Sequence, residues 1–166
     1  MKSSVFPMIL TALCAAIIAI LAQMIIPLPL IPITGQTLAI GLVVTILGLK
    51  HGTYAVLLYI LLGAIGLPVF QSFTGGLGIL FGPTGGYIIG FIPTALVIGF
   101  YLEKTRLTFT HALVANLLGM LVTLAVGAVW LKYVAELSWT GALLSGAIPF
   151  KKVRLHILTI QHQLLM

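Results

Sequence analysis

Three long apolar stretches decide what this chain can fold into. Residues Val5–Ile26, Thr84–Leu102 and Phe109–Leu131 contain no Asp, Glu, Lys or Arg. Each reaches the roughly 17–25 residues that a helix needs to cross the hydrocarbon of a bilayer. Only 6% of the residues are charged, whereas a soluble domain has about 25%. The sequence therefore predicts an all-α integral membrane protein, a bundle of helices whose surface faces lipid.

Proline, glycine and charged residues divide the chain into five clear spans. Prolines at 27, 29 and 32 follow the first span, and proline interrupts helices because it lacks a backbone N–H. Lys50, His51 and Gly52 are expected to form a tight polar turn. The spans on either side of that turn are short, so a re-entrant hairpin is the alternative. The predicted spans are 5–26, 36–49, 53–67, 84–102 and 109–133.

The positive charges alternate with this segmentation. Lys2, Lys50, Lys104 and Arg106 fall on one side of the predicted membrane, and Lys132 falls on the other. Because cytoplasmic loops carry an excess of Lys and Arg, the N-terminus is predicted to be cytoplasmic in a multi-pass protein of the cell membrane.

The two uncharged outer loops, residues 27–37 and 67–87, are unusual. They are apolar, rich in Pro and Gly, and carry scattered amide and hydroxyl groups. Irregular backbone at membrane depth requires protein or a cavity to satisfy it, so these loops are expected to fold onto the bundle. Glycines at 75, 76 and 78 either let a ligand approach the backbone closely or serve close packing. Gly86 and Gly90, on a span, are interpreted as sites of close helix packing.

The start of the fourth span has the features of a helix N-terminus. Pro83 suits the first helical turn, and Thr84 stands beside it. The positive end of the helix dipole at this position would suit an anionic group such as a carboxylate.

Nothing in the sequence indicates an enzyme. The two acidic residues, Glu103 and Glu136, lie at span ends, and no phosphate-binding GxxxxGK[ST] motif occurs. The histidines do not pair with acids at helical spacing, and Cys14 is the single cysteine, so neither a metal site nor a cofactor is predicted.

Small residues form a stripe on the first span. Ala12 and Ala16, and Ala15 and Ala19, make two overlapping small-xxx-small pairs. The stripe serves either packing inside the bundle or docking to another membrane subunit.

The loop motifs resemble those of the BioY family. The resemblance rests on PIT-x-QT (residues 32–37), LLGAIGLPVF (61–70), GGLGILFGPTGGY (75–87) and the following Gly90-Phe91, in one register. It extends from the first span to about Phe150. BioY proteins are the biotin-specific substrate-binding components (S components) of energy-coupling-factor (ECF) transporters.

The resemblance implies a six-helix bundle that holds biotin beneath the outer loops. It also implies a transmembrane coupling subunit and a pair of cytoplasmic ATPases as partners, with the alanine stripe contacting the coupling subunit. A pocket formed by Phe70, Phe73, Phe81 and Tyr87 with Gln and Thr donors would suit biotin. The predicted substrate-binding residues are Thr34, Gln36, Phe70, Gln71, Thr74, Gly76, Gly78, Thr84, Gly85 and Tyr87.

Two other functions remain open from the residues alone. A related capture component for another vitamin would show the same physical features. A passive channel or small structural membrane protein would need a polar stripe along several spans, and Asn116 and Thr123 on the fifth span are too few.

The C-terminal tail departs from the family pattern. We divide the chain into a transmembrane substrate-binding bundle, residues 1–150, and an atypical basic tail, residues 151–166. BioY proteins continue with an Asp, a Lys and a sixth helix that serve biotin binding, but no Asp follows Phe150 here, and the tail is too short and polar to span. A reading-frame change near Lys151 would explain this; the alternative is a natural variant whose tail lies along the interface as a basic helix. As a result, this chain is expected to bind biotin poorly or not at all.

Overall fold

A computed structural model of the chain describes residues 5–26 and 33–136, and these residues are mostly helical. Two short strands, β1 (Ile25–Ile26) and β2 (Ile33–Thr34), pair antiparallel after the first helix, and Gln71–Phe73 form a 3-10 turn. The helices are α1 (Val5–Leu21), α2 (Gln36–Ala64), α3 (Leu77–Phe81), α4 (Gly85–Lys104) and α5 (Phe109–Val134).

Helix α2 is folded back on itself at Gly48. This residue has φ 74° and ψ −177°, a non-helical conformation that glycine adopts without steric penalty. The Gln36 Nε2 lies 2.9 Å from the Tyr59 hydroxyl, although 23 intervening rises of a straight helix would separate these residues by about 35 Å. Near the fold, a Cβ on Gly52 would lie 2.7 Å from the Cα of Val44. The two halves, 36–47 and 49–64, are therefore antiparallel.

This hairpin corrects the predicted turn and agrees with the predicted reversal of the chain. The break lies at Gly48, whereas Lys50, His51 and Gly52 already belong to the second helical half. Glycine decides the position because the reversal needs a positive φ, which a charged turn does not supply. The predicted first span was also too long, since α1 ends at Leu21 and the chain turns into β1.

Three described helices are long and apolar enough to cross a membrane, namely α2, α4 and α5. Helix α1, with 17 residues, is apolar but shorter. The fold is thus that of a helical membrane protein, while the number of five crossings stays a prediction because α2 is folded at Gly48. The apolar segment 138–150 and the tail 151–166 lie outside the described residues.

Helices α4 and α5 interlock through glycines and rings. A Cβ on Gly86 would lie 2.9 Å from Trp130 Cδ1, and one on Gly127 would overlap the Tyr87 ring. A Cβ on Gly90 would lie 3.3 Å from the Val126 Cβ, so the packing role predicted for Gly86 and Gly90 is confirmed. Thr94 and Thr123, both buried, share a 2.7 Å hydrogen bond across this interface.

The core lies between α1, the α2 hairpin and α4, and α5 packs mainly on α4. The outward surfaces carry many large apolar side chains, as expected of a surface in lipid. The buried core includes Ile18, Ile40, Val44, Val56, Tyr59, Phe91 and Ile98.

Candidate functional site

The described parts of the two predicted loops lie at the same end of the bundle. The N–H of Gly35, which precedes α2, donates to the carbonyl of Met24 at 2.9 Å. The N–H of Gly76 donates to the carbonyl of Gly63 at 2.7 Å, which ties the loop after α2 back onto the end of that helix. As predicted, the loop after α2 is folded onto the bundle, since its backbone bonds to a helix end. Residues 27–32 of the first loop lie outside the described residues.

Phe70 inserts its ring into a notch at this end. Its side chain has no exposed surface, and its ring packs edge-on against Tyr59 with centroids 5.6 Å apart. The notch exists because Gly63 has no side chain, so that a Cβ there would lie 2.6 Å from Phe70 Cε2. The predicted binding residue Phe70 is thus a buried anchor of the loop.

Gln36 lies beneath the same loop, and its side-chain amide is hydrogen-bonded to Tyr59. Gln36 is 4% exposed, and its Nε2 donates to the Tyr59 hydroxyl at 2.9 Å. The hydrogen bond gives this buried amide donor a partner. Burial of the donor without a partner would destabilise the fold. The backbone N–H of Gln36 also faces the Thr34 hydroxyl at 3.4 Å.

Gln23, just beyond the end of α1, bonds to the loop at two points. Its Nε2 donates to the carbonyls of Ala19 and Phe70, both at 3.0 Å. Its Oε1 accepts from the Phe73 N–H at 2.9 Å. Ser72 and Phe73 have φ of 56° and 55°, values uncommon for residues other than glycine. A single amide therefore links α1 to a strained turn.

The first turn of α4 forms another wall of this region. The Trp130 Nε1 donates to the carbonyl of Gly82 at 3.0 Å, so α5 holds the chain just before α4. Gly85 packs against the Leu80 backbone, and Thr84 begins the helix without a side-chain capping hydrogen bond. The Tyr87 hydroxyl is buried and has no hydrogen-bond partner within the described residues.

An open apolar groove adjoins this wall on the last turns of α5. Its volume is about 540 Å³. Its walls carry almost no polar surface, so it does not offer the donors and acceptors that a polar ligand group needs. It is lined by Ala125, Val126, Val129, Trp130, Tyr133 and Val134.

The structure gathers most predicted binding residues at this end, in different environments. The Thr74 hydroxyl donates to the carbonyl of Gln71 at 2.8 Å. Gly76 has φ 98°, and Gly78, two residues later, is exposed with open space around it.

The predicted aromatic pocket is not assembled among the described residues. Phe73 and Phe81 are 71% and 70% exposed, whereas Phe70 is buried against Tyr59 and the Tyr87 ring packs on Gly127. Aromatic identity alone did not distinguish loop rings that anchor the fold from rings on its surface.

Three residues at this end escaped the sequence analysis: Gln23, Tyr59 and Trp130. Gln23 is a lone amide at the end of an apolar stretch, which is a signal that could have been read. Tyr59 and Trp130 lie inside apolar helices, where aromatic residues are ordinary, and no pattern marks their hydrogen bonds.

The alanine stripe on α1 divides between two faces. Ala15 is 1% exposed, and Ala19 packs against the core. Ala12 and Ala16 are exposed among the described residues. The Ala15/Ala19 pair therefore packs inside the bundle, and the Ala12/Ala16 pair faces outward.

Comparison with known proteins places these features in a family. The BioY family model matches residues 1–160, ten residues beyond the limit that the motifs indicated. The chain is 41% identical over 149 residues to the biotin transporter BioY2 of Lactococcus lactis, covering 90% of this chain and 82% of that one. It is 43% identical over 136 residues to the biotin transporter BioY of Thermotoga maritima, covering 81% and 79%.

A solved structure shares the fold. The S-component for biotin from an ECF-type ABC transporter superposes with a TM-score of 0.80 at 31% sequence identity. The match covers 88% of this chain and 82% of the solved one. With a family match over nearly its whole length, relatives above 40% identity and the same fold, this chain belongs to the BioY family.

Proposed function

We propose that this chain is the membrane-embedded S component of an ECF-type transporter and that it captures biotin for uptake. The observation that carries the proposal is the fold shared with a biotin S-component at a TM-score of 0.80. A second observation, independent of that likeness, is the loop after α2, which is held over one end of the bundle.

The chemistry of this end suits biotin. Biotin has a neutral bicyclic ureido head, an apolar chain and a terminal carboxylate. The unpaired Tyr87 hydroxyl and the uncapped N-terminus of α4 at Thr84 supply donors, and the N-terminal end of a helix favours a carboxylate. Gly76 and Gly78 leave the backbone open to close approach. The loop is held in shape by three other predicted residues, namely Phe70, Gln36 and Thr74.

The energy for transport is proposed to come from partner subunits. The sequence has no phosphate-binding motif of the GxxxxGK[ST] type, so ATP would be used by the ATPase pair of the transporter. We propose that the exposed Ala12 and Ala16 form the contact with the transmembrane coupling subunit, because small residues let helices approach closely.

The proposed orientation places the loop end outside the cell. Lys50, Lys104 and Arg106 lie at the opposite end of the helices from the two loops, and the positive-inside rule assigns that end to the cytoplasm. Five spans are proposed for residues 1–150, with the α2 hairpin contributing two, and the N-terminus is cytoplasmic.

Equilibrium binding to detergent-purified protein tests the proposal. Biotin should bind in preference to other vitamins offered as competitors. Preferential binding of another vitamin would establish the related capture function instead. Ion leakage through vesicles containing the chain, without vitamin binding, would favour the passive channel.

A second chain in the same experiment tests the tail. Replacing residues 151–166 by a sixth helix carrying an Asp and a Lys should strengthen biotin binding, because the sequence after Phe150 lacks that Asp. Tight binding by the unaltered chain would contradict the predicted defect, and binding by neither chain would overturn the function itself.

A further inference from the structure

We propose that Gln23 is a latch whose side chain holds the loop at residues 70–76 closed and so sets how long a bound ligand is retained. The inference rests on the proposed function, because the loop carries Gly76, where the ligand is proposed to approach the backbone closely. Gln23 itself acts through the loop and is a positioning residue.

Both ends of the Gln23 side-chain amide form hydrogen bonds. The donor nitrogen bonds to Ala19 in its own helix and to Phe70 in the loop, each at 3.0 Å, and the oxygen accepts from Phe73 at 2.9 Å. The partners in the loop are backbone groups about fifty residues away in sequence. One side chain therefore fixes the loop at two points three residues apart.

The loop needs support from outside at the turn formed by Ser72 and Phe73. Ser72 and Phe73 both adopt the left-handed region, with φ of 56° and 55°, which is disfavoured for side chains larger than glycine. The side chain of Phe73 is 71% exposed, so it adds little packing. The hydrogen bond from its backbone N–H to Gln23 supplies support that packing does not.

The loop is also anchored to α2, separately from Gln23. The buried Phe70 ring and the 2.7 Å hydrogen bond from Gly76 to Gly63 hold it to α2. Release of the Gln23 contacts would therefore free the 71–74 turn between these two anchors without unfolding the helices. This division is what lets a latch open while the protein stays folded.

Substitution of Gln23 should loosen the loop and speed ligand release. Gln23→Met keeps the length of the side chain and removes both contacts to the loop. Two hydrogen bonds of ordinary net strength correspond to a roughly 30-fold shift toward the open loop. We expect hydrogen exchange of segment 70–76 in the ligand-free protein, and the biotin dissociation rate, to rise by up to that factor, with the association rate not reduced.

Gln23→Glu provides a readout that a merely structural role would not give. An ionised carboxylate still accepts from Phe73 but faces the carbonyls of Ala19 and Phe70, whereas a protonated carboxyl can donate to one of them. Biotin has a carboxylate of its own, so each rate is compared with that of the unaltered chain at the same pH. Relative to that chain, release from Gln23→Glu should be slow at low pH and fast at neutral pH. The described residues of α1, β1, β2 and the 65–84 loop contain no charged side chain that would titrate nearby.

Thr11→Val is the matched control. It removes a 2.8 Å hydrogen bond from the Thr11 hydroxyl to Pro7 within the same helix, away from the loop. It should leave loop exchange and biotin release as in the unaltered chain.

The outcomes separate the latch from the function. Loop exchange unchanged in Gln23→Met would overturn the latch, even if release changed, because Gln23 would then contact the ligand directly. Faster loop exchange in a chain that does not bind biotin would support the latch and overturn the proposed function. Equal exchange and release in all variants would remove Gln23 from any role in closure.

Discussion

The notch that receives Phe70 can be filled with a single methyl group. Gly63→Ala places a Cβ 2.6 Å from Phe70 Cε2 and closer still to the tip of the ring. Ordinary carbon contacts lie at about 3.5–4.0 Å, so the ring must move by about 1 Å or more. It cannot move deeper, because Tyr59 packs against it with ring centroids 5.6 Å apart.

The effect of this change follows from the burial that is lost. The Phe70 side chain has no exposed surface, and full burial of a phenylalanine side chain is worth about 1.5–3 kcal/mol. Partial withdrawal from the notch should therefore destabilise the closed loop by up to that amount. If ligand binding requires the closed loop, the Kd for biotin should rise by about 10- to 150-fold at most.

The assay combines thermal unfolding in detergent with calorimetric titration of biotin. Gly78→Ala is the control for thermal unfolding, because open space surrounds Gly78 and the residue has no unusual φ. A second substitution tests the mechanism: Phe70→Ala should be harmful alone, yet adding Gly63→Ala to it should cost almost nothing further, since the overlapping ring is gone. Additive effects of the two changes, or normal behaviour of Gly63→Ala alone, would refute the notch.

The remaining predictions concern orientation, docking and ligand contact. In a chain without its native cysteine, a single cysteine at 72 should react with an impermeant thiol reagent on intact cells, and a single cysteine at 50 should not. Labelling at 50 but not at 72 would reverse the orientation. Ala12→Trp should block co-purification with the coupling subunit while the chain stays folded, and a full complex with Ala12→Trp would contradict the docking face. Ala15→Trp, at a position 1% exposed, should instead destabilise the bundle. Tyr87→Phe should raise the melting temperature of the empty protein, because it removes a buried unpaired hydroxyl, and should lower biotin affinity about fivefold; an unchanged affinity would exclude that hydroxyl from the site.

The sequence predicted the helices and the gathering of the loops because both follow from strong, local signals. The length of the apolar stretches predicted α4 and α5, and α5 ends one residue beyond its predicted limit. Proline and glycine between spans marked the two loops, of which the one after α2 is folded onto the bundle. The close approach at Gly86 was predictable because small residues four apart have one common use in membrane helices.

The details of the site could not be predicted, because they depend on long-range pairing. Nothing near Phe70 in the sequence shows that its ring enters a notch at Gly63. Phe73, three residues later, has neighbours of similar composition in the sequence, yet its side chain is exposed. The reversal at Gly48 was misplaced because charge at Lys50 was a more visible signal than the dihedral angle of a glycine. The Gln23 contacts join segments about fifty residues apart, beyond the reach of any local pattern.

The interlocking of α4 and α5 has a consequence for how related sequences can diverge. Gly86 accommodates Trp130, and Gly127 accommodates Tyr87, so each helix supplies one gap and one ring to the other. A larger residue at either glycine position is compatible with the same helix spacing only if the opposite ring becomes smaller. Among aligned relatives, positions 86 and 130 should therefore exchange size together, as should 127 and 87, and the two pairs should vary independently of each other. Such paired exchange would record the contact in sequences whose structures have never been determined.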